Sequence, residues 1–120
     1  MENKPMYSLM RKLLLFFLIA LFVSCFSDGG RIILFEVTGS ATSFDVTITK
    51  PDGNSTQYNS VVSGASWEFK GFPGDYVYMS GKNRTNQGNV EVSISVDGAT
   101  FMADDSSGAY ALASVHGNLP

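Results

Sequence analysis

The feature that most constrains the fold of this chain is a two-residue alternation of apolar and polar side chains. It is clearest in the segment 89–96, Asn-Val-Glu-Val-Ser-Ile-Ser-Val, where every second residue is Val or Ile. The segment 43–50, Ser-Phe-Asp-Val-Thr-Ile-Thr-Lys, repeats the pattern. Successive side chains of a β-strand point to opposite faces, so this period predicts strands with one buried face.

Other segments have the same character, because they are short and rich in aromatic or β-branched residues. They are residues 32–37, 57–62, 66–72, 75–80 and 109–115. Outside the N-terminal apolar run, the sequence contains no convincing 3.6-residue period of an amphipathic helix. The chain is therefore expected to be all-β.

Turn-forming residues separate these segments. Pro51-Asp52-Gly53-Asn54 and Asp97-Gly98 supply the positive φ angles of tight hairpin turns, and 71–75 and 83–88 are further turn-rich segments. Seven or eight short strands at regular spacing predict an antiparallel β-sandwich in preference to a small barrel.

Several short motifs resemble a known family over residues 35–119. They are Val37-Thr38-Gly39, Lys50-Pro51-Asp52-Gly53, Trp67 after a turn, Val96-Asp97-Gly98 and the closing Gly117. Together they resemble the extracytoplasmic domain of the mycobacterial membrane-protein-small (MmpS) type. The resemblance implies an immunoglobulin-like β-sandwich and, for the family, an accessory role beside lipid or siderophore exporters. The chain lacks that family's paired cysteines and transmembrane helix, and it has Ala65-Ser66 where the family has Leu-Pro before the tryptophan.

The N-terminus has the order of a secretory signal. Basic residues Lys4, Arg11 and Lys12 precede an apolar run of 11 residues, 13–23, which is followed by the small residue Ser24. The run is shorter than the ~20 residues that a helix needs to span a bilayer.

The end of this signal, Leu21-Phe22-Val23-Ser24-Cys25, resembles the lipobox of bacterial lipoproteins, although Phe22 replaces the usual aliphatic residue. The resemblance implies cleavage between Ser24 and Cys25, lipidation of the Cys25 thiol and acylation of its new amine. Two or more acyl chains anchor a protein stably. Phe26, by the same analogy, favours sorting to the outer membrane. An ordinary signal peptide cut near Ala20 or Ser24, or an uncleaved anchor, are the alternatives.

The predicted organisation is a signal peptide (1–24), a flexible tether (25–30) and a β-sandwich domain (31–120). The chain has 8 Lys and Arg and 11 Asp and Glu, of which the first 24 residues contain Lys4, Arg11, Lys12 and Glu2. The mature part therefore keeps 5 basic and 10 acidic residues, a formal charge of −5. Such an acidic domain is a poor nucleic-acid binder. Cys25 is the only cysteine, so no internal disulfide is expected.

The sequence predicts no enzyme, no metal and no cofactor. His116 is the sole histidine, and it is expected to be an exposed polar residue. Asp104-Asp105 is expected at a hydrophilic hairpin tip rather than at a calcium site, because the Asp-x-Asp-x-Asp-Gly spacing is absent and adjacent residues of a strand point to opposite faces. A glycosidase-type acid and base drawn from Glu36, Glu68 or Glu91 remains a weaker, enzymatic alternative.

Aromatic residues provide the candidate binding surface. Tyr76 and Tyr78 share one strand face, Tyr58 is expected to extend it, and Trp67 is expected to point into the core. The first prediction of function is a lipid-anchored envelope protein that acts as a non-catalytic interaction or transport-accessory module. The alternative is a lipoprotein that binds glycans or lipids.

Overall fold

The computed structural model describes residues 29–120, in which eight β-strands pair only in the antiparallel sense. The strands are β1 (Arg31–Thr38), β2 (Phe44–Thr49), β3 (Ser55–Val61), β4 (Ser66–Gly71), β5 (Tyr76–Asn83), β6 (Asn89–Val96), β7 (Ala99–Ser107) and β8 (Leu112–Asn118). A first sheet has the order β4-β1-β6-β7 and a second has the order β3-β2-β5-β8. The predicted all-β sandwich is confirmed.

The core lies between the two sheets and is built from the alternating apolar positions. The first sheet contributes Ile33, Phe35, Val37, Val90, Val92 and Ile94, and the second contributes Phe44, Val46, Ile48, Val77, Met79, Ala113 and Val115. Full burial of one such large side chain stabilises a fold by ~1.5–3 kcal/mol. The same alternation leaves polar residues on the outer faces.

The predicted hairpin turns form where Asp-Gly occurs. Asp97 and Gly98 have φ angles of 49° and 84°, as a tight two-residue hairpin requires. In the turn at 51–54, Gly53 has a φ of 88°, and the backbone N–H of Asn54 donates to Asp52 Oδ1 at 2.9 Å. That hydrogen bond stabilises the charged carboxylate and lowers the pKa of Asp52.

Two strand limits in the C-terminal half of the chain differ from the sequence prediction. β5 continues through Asn83 rather than ending at Ser80, and the last strand starts at Leu112 rather than at Ala109. The hairpin-tip assignment of Asp104-Asp105 is wrong, because both residues lie within β7. β7 is an edge strand with mostly exposed residues, so burial does not exclude charged side chains there.

Residues Arg31–Pro120 form one compact unit, in which no helix is long or apolar enough to cross a membrane. The predicted signal peptide, its cleavage site at Ser24 and Cys25, and most of the tether lie outside the described residues.

Candidate binding surface

The outer face of the second sheet carries two of the three predicted surface tyrosines. Tyr76 and Tyr78 alternate along β5 with Val77 and Met79, which are fully buried in the core. The two tyrosines therefore point away from the core. Tyr76 is 47% exposed, whereas Tyr78 is half-buried between neighbouring strands.

His116 completes an aromatic row on this face. Tyr78 pairs directly with His116 across β5 and β8, and Tyr76 pairs with Asn118. The rings of Tyr76 and His116 lie 6.2 Å apart with an interplanar angle of 41°. His116 is exposed, as the sequence analysis expected of it. We call Tyr76, Tyr78 and His116 the tyrosine row.

Hydroxyl groups lie beside the tyrosine row. Thr49 of β2 pairs with Tyr78, and its Oγ1 is 2.7 Å from Oγ of Ser55 on β3. Thr47 pairs with Ser80 one step further along the same two strands. The face thus combines aromatic rings with hydroxyl donors and acceptors, which suits contact with an amphipathic partner.

Tyr58 does not join this surface. It pairs with Val46, a fully buried residue, so its side chain lies on the core side of the second sheet. Its ring is 4.8 Å from that of Trp67, and both half-buried rings pack against the core. Trp67 lies on β4 of the first sheet, so the pair covers the core along the β3 and β4 edges. The expected inward position of Trp67 is confirmed.

The carboxylates considered in the sequence analysis lie on strands of the first sheet, whereas the tyrosine row lies on the second sheet. Glu91 pairs with Asp105 across β6 and β7, and the Asp104 carboxylate accepts a hydrogen bond from the Ser114 backbone N–H at 3.0 Å. An open pocket of about 280 Å³ is lined by Glu91, Ala103, Asp104 and Asp105. Within residues 29–120, no group of three or more His, Cys, Asp or Glu side chains is arranged to hold a metal ion.

A second exposed surface was missed by the sequence analysis. Ile32 is 55% exposed on the outer face of the first sheet, and Phe72, just after β4, is 43% exposed. Lys70 pairs with Ile32, and its Nζ lies 5.4 Å from the centre of the Phe72 ring. The sequence could have indicated this surface, because Ile32 and Leu34 are apolar although they alternate with the core residues of β1.

No protein-family model matches the sequence, and no curated protein matches it.

Proposed function

We propose that this chain is a lipid-anchored lipoprotein of the bacterial envelope whose β-sandwich acts as a non-catalytic interaction or transport-accessory module. The observation that carries the proposal is the segment Leu21–Cys25 directly after a short apolar run. A thiol at this position is suited to diacylglyceryl attachment, and further acylation gives stable anchoring. Sorting to the outer membrane follows from Phe26 by family analogy.

The folded domain fits this proposal because it is stabilised by an apolar core and not by disulfides. Its apolar core is shared between two sheets, and residues 26–120 contain no cysteine, so the domain is stabilised in an exported location without disulfides. The tyrosine row is a surface on which a partner protein of the envelope can dock. Partners and the anchor are thus assigned to different parts of the chain.

The anchor is tested by Cys25→Ser in the full-length protein. We expect unprocessed precursor to accumulate and incorporation of labelled fatty acid to be abolished, because no other thiol is present. Ser27→Ala is the matched control and should leave processing and labelling unchanged. Acyl labelling that persists in Cys25→Ser would contradict the anchor.

The accessory role is tested on the lipidated protein in its own membranes. After gentle crosslinking, solubilisation and purification, mass spectrometry should identify a reproducible set of envelope proteins. Tyr76→Ala should reduce the recovery of that set if the tyrosine row is the docking surface. Recovery of the protein alone would contradict the accessory role.

Glycan or lipid binding is the alternative function, and the tyrosine row favours it. Aromatic faces pack on the apolar side of a sugar ring or an acyl chain, and the hydroxyls of Thr49 and Ser55 offer hydrogen bonds. On glycan and lipid arrays, Tyr76→Ala should weaken any specific binding by about tenfold, equivalent to ~1.4 kcal/mol. Tyr110→Ala is the matched control, because Tyr110 is 58% exposed but lies in the β7–β8 loop. Equal loss in both variants would argue against the tyrosine row.

A further inference from the structure

The end of the sandwich at which the described chain begins carries an exposed apolar and cationic surface. It consists of Ile32, Lys70 and Phe72, which we call the base patch. Ile32 and Lys70 face each other across β1 and β4, and the Lys70 ammonium lies over the Phe72 ring. Leu34, half-buried on the same face, extends it.

Hydrogen bonds fix the backbone at two residues of the base patch, Ile32 and Phe72. The backbone of Ile32 exchanges hydrogen bonds with Asp97, whose backbone N–H donates to the Ile32 carbonyl and whose carboxylate accepts the Ile32 N–H, both at 2.9 Å. The Phe72 N–H donates to Asp75 Oδ2 at 2.9 Å. The loop that follows Phe72 also contacts the segment after β8, because the Gly74 backbone N–H donates to the Leu119 carbonyl at 2.8 Å.

Two acidic residues near the base patch, Asp97 and Asp75, are engaged by neighbouring donors, whereas Glu68 is exposed on β4 opposite Leu34. Besides the Ile32 N–H, Asp97 faces Arg31 at 3.6 Å, while Asp75 accepts from the Phe72 backbone. The carboxylates of Asp97 and Asp75 are therefore balanced by a cation or by backbone N–H groups. At the opposite end, Glu91 of β6 and Asp105 of β7 lie directly across from each other, so two negative charges are adjacent there.

Chain length restricts where the base patch can lie. Five residues separate Cys25 from Arg31, and a fully extended segment of that length reaches at most about 20 Å. β1, with eight residues, is itself about 25 Å long. A chain anchored at Cys25 therefore keeps the Arg31 end of β1 close to the bilayer.

We propose that the base patch rests on the phospholipid headgroup region of the membrane that holds the anchor, an inference that depends on the proposed lipidation of Cys25. Ile32 and Phe72 would enter the boundary between headgroups and acyl chains, and Lys70 would lie at the depth of the lipid phosphates. Apolar and aromatic side chains combined with lysine are the composition that interfacial protein surfaces use. The contact orients the sandwich so that its far end points away from the membrane.

The chain offers a direct test, because lipidation consumes its only thiol. Ile32→Cys or Phe72→Cys then provides the single free thiol of the acylated protein, to be labelled with an environment-sensitive fluorophore. The full-length labelled protein is reconstituted in vesicles of phosphatidylethanolamine and phosphatidylglycerol that contain lipid-borne quenchers. Leu112→Cys is the matched control, since Leu112 is 57% exposed and lies at the far end beside Lys82.

We expect lipid-borne quenchers to reduce fluorescence several-fold more at positions 32 and 72 than at position 112. The emission of Trp67, the only tryptophan, verifies that each variant is folded. Equal quenching at all three positions in acylated protein would overturn the base-patch proposal and leave the anchor standing. Shielding from water without lipid quenching would also overturn it, because a protein would then cover the patch. Absence of acylation at Cys25 would remove both proposals together.

Discussion

At the scale of single residues, Asn83 shows how a polar side chain organises one end of the sandwich. It is fully buried, and its Nδ2 donates to the carbonyls of Gln87 and Gly108 at 2.9 and 3.1 Å. Its Oδ1 accepts from the backbone N–H and the hydroxyl of Thr85 at 2.8 and 2.7 Å. Asn83 thereby connects the β5–β6 loop with the β7–β8 loop.

Asn83→Ala should lower the free energy of unfolding by about 2–4 kcal/mol, because it leaves buried backbone groups without partners. Urea denaturation monitored by Trp67 fluorescence measures this loss. Asn86→Ala, at an exposed position in the same loop, is the control and should change stability by no more than about 0.5 kcal/mol. Similar small losses in both variants would show that the Asn83 contacts are not structurally important.

The role of Asn83 was not predictable from its sequence neighbourhood. The segment Asn83–Gly88 contains turn-forming residues, and the sequence analysis accordingly placed all of it in a turn. The burial of Asn83 depends on Gly108, which is distant in the sequence and is brought near by the sheet. Trp67, by contrast, was predictable because its alternation with Ser66 and Glu68 defined its face.

At the scale of elements, the edge strands β7 and β8 are joined by a side chain. The Ser114 N–H of β8 donates to the carboxylate of Asp104 on β7 at 3.0 Å. β7 is the edge of the first sheet and β8 is the edge of the second. Asp104 thus occupies a donor that an approaching strand would otherwise pair with, and a charge on an edge opposes intermolecular association.

Asp104→Ala should accelerate hydrogen exchange of the Ser114 amide by about fivefold, corresponding to ~1 kcal/mol for the lost hydrogen bond. Exchange followed by NMR provides the measurement. Asp105→Ala is the matched control, since it removes the same charge from the opposite face of β7 and should leave Ser114 protected. Faster exchange in both variants would indicate a general effect of charge rather than this hydrogen bond.

The strands differ in how well the apolar-polar alternation of the sequence predicted them. β1, β2 and β6 each bury one face, so their sequence period is clear and they were predicted almost to the residue. β7 is largely exposed, so selection for burial is weak and its Ala-Asp-Asp-Ser sequence has low strand propensity. Tyr58 was misplaced because its face depends on its pairing with the buried Val46, a contact between strands that the sequence of β3 alone does not show.

At the scale of the whole molecule, the close approach of the two sheets depends on a glycine. A Cβ at Gly81 of the second sheet would lie 2.7 Å from Val92 Cγ1 and 3.0 Å from Val90 Cγ2 of the first sheet. Gly81 is buried and pairs with Ala113, so a pair of small residues lies opposite the valines. The two layers can therefore interdigitate at native packing density.

Gly81→Ala should destabilise the fold by about 1–3 kcal/mol, since the added methyl overpacks the core. If the clash with Val92 is the cause, Val92→Ala should relieve part of it, and the double variant should be more stable than additivity predicts by about 1 kcal/mol. Denaturant unfolding of the four proteins gives this coupling energy. Ile33→Val is the control partner and should show no coupling with Gly81→Ala. Ile33 lies four residues, about 13 Å, along β1 from Val37, which is near Gly81. Additivity of Gly81→Ala and Val92→Ala would mean that the added methyl does not clash with Val92, and the proposed inter-sheet contact would not limit stability.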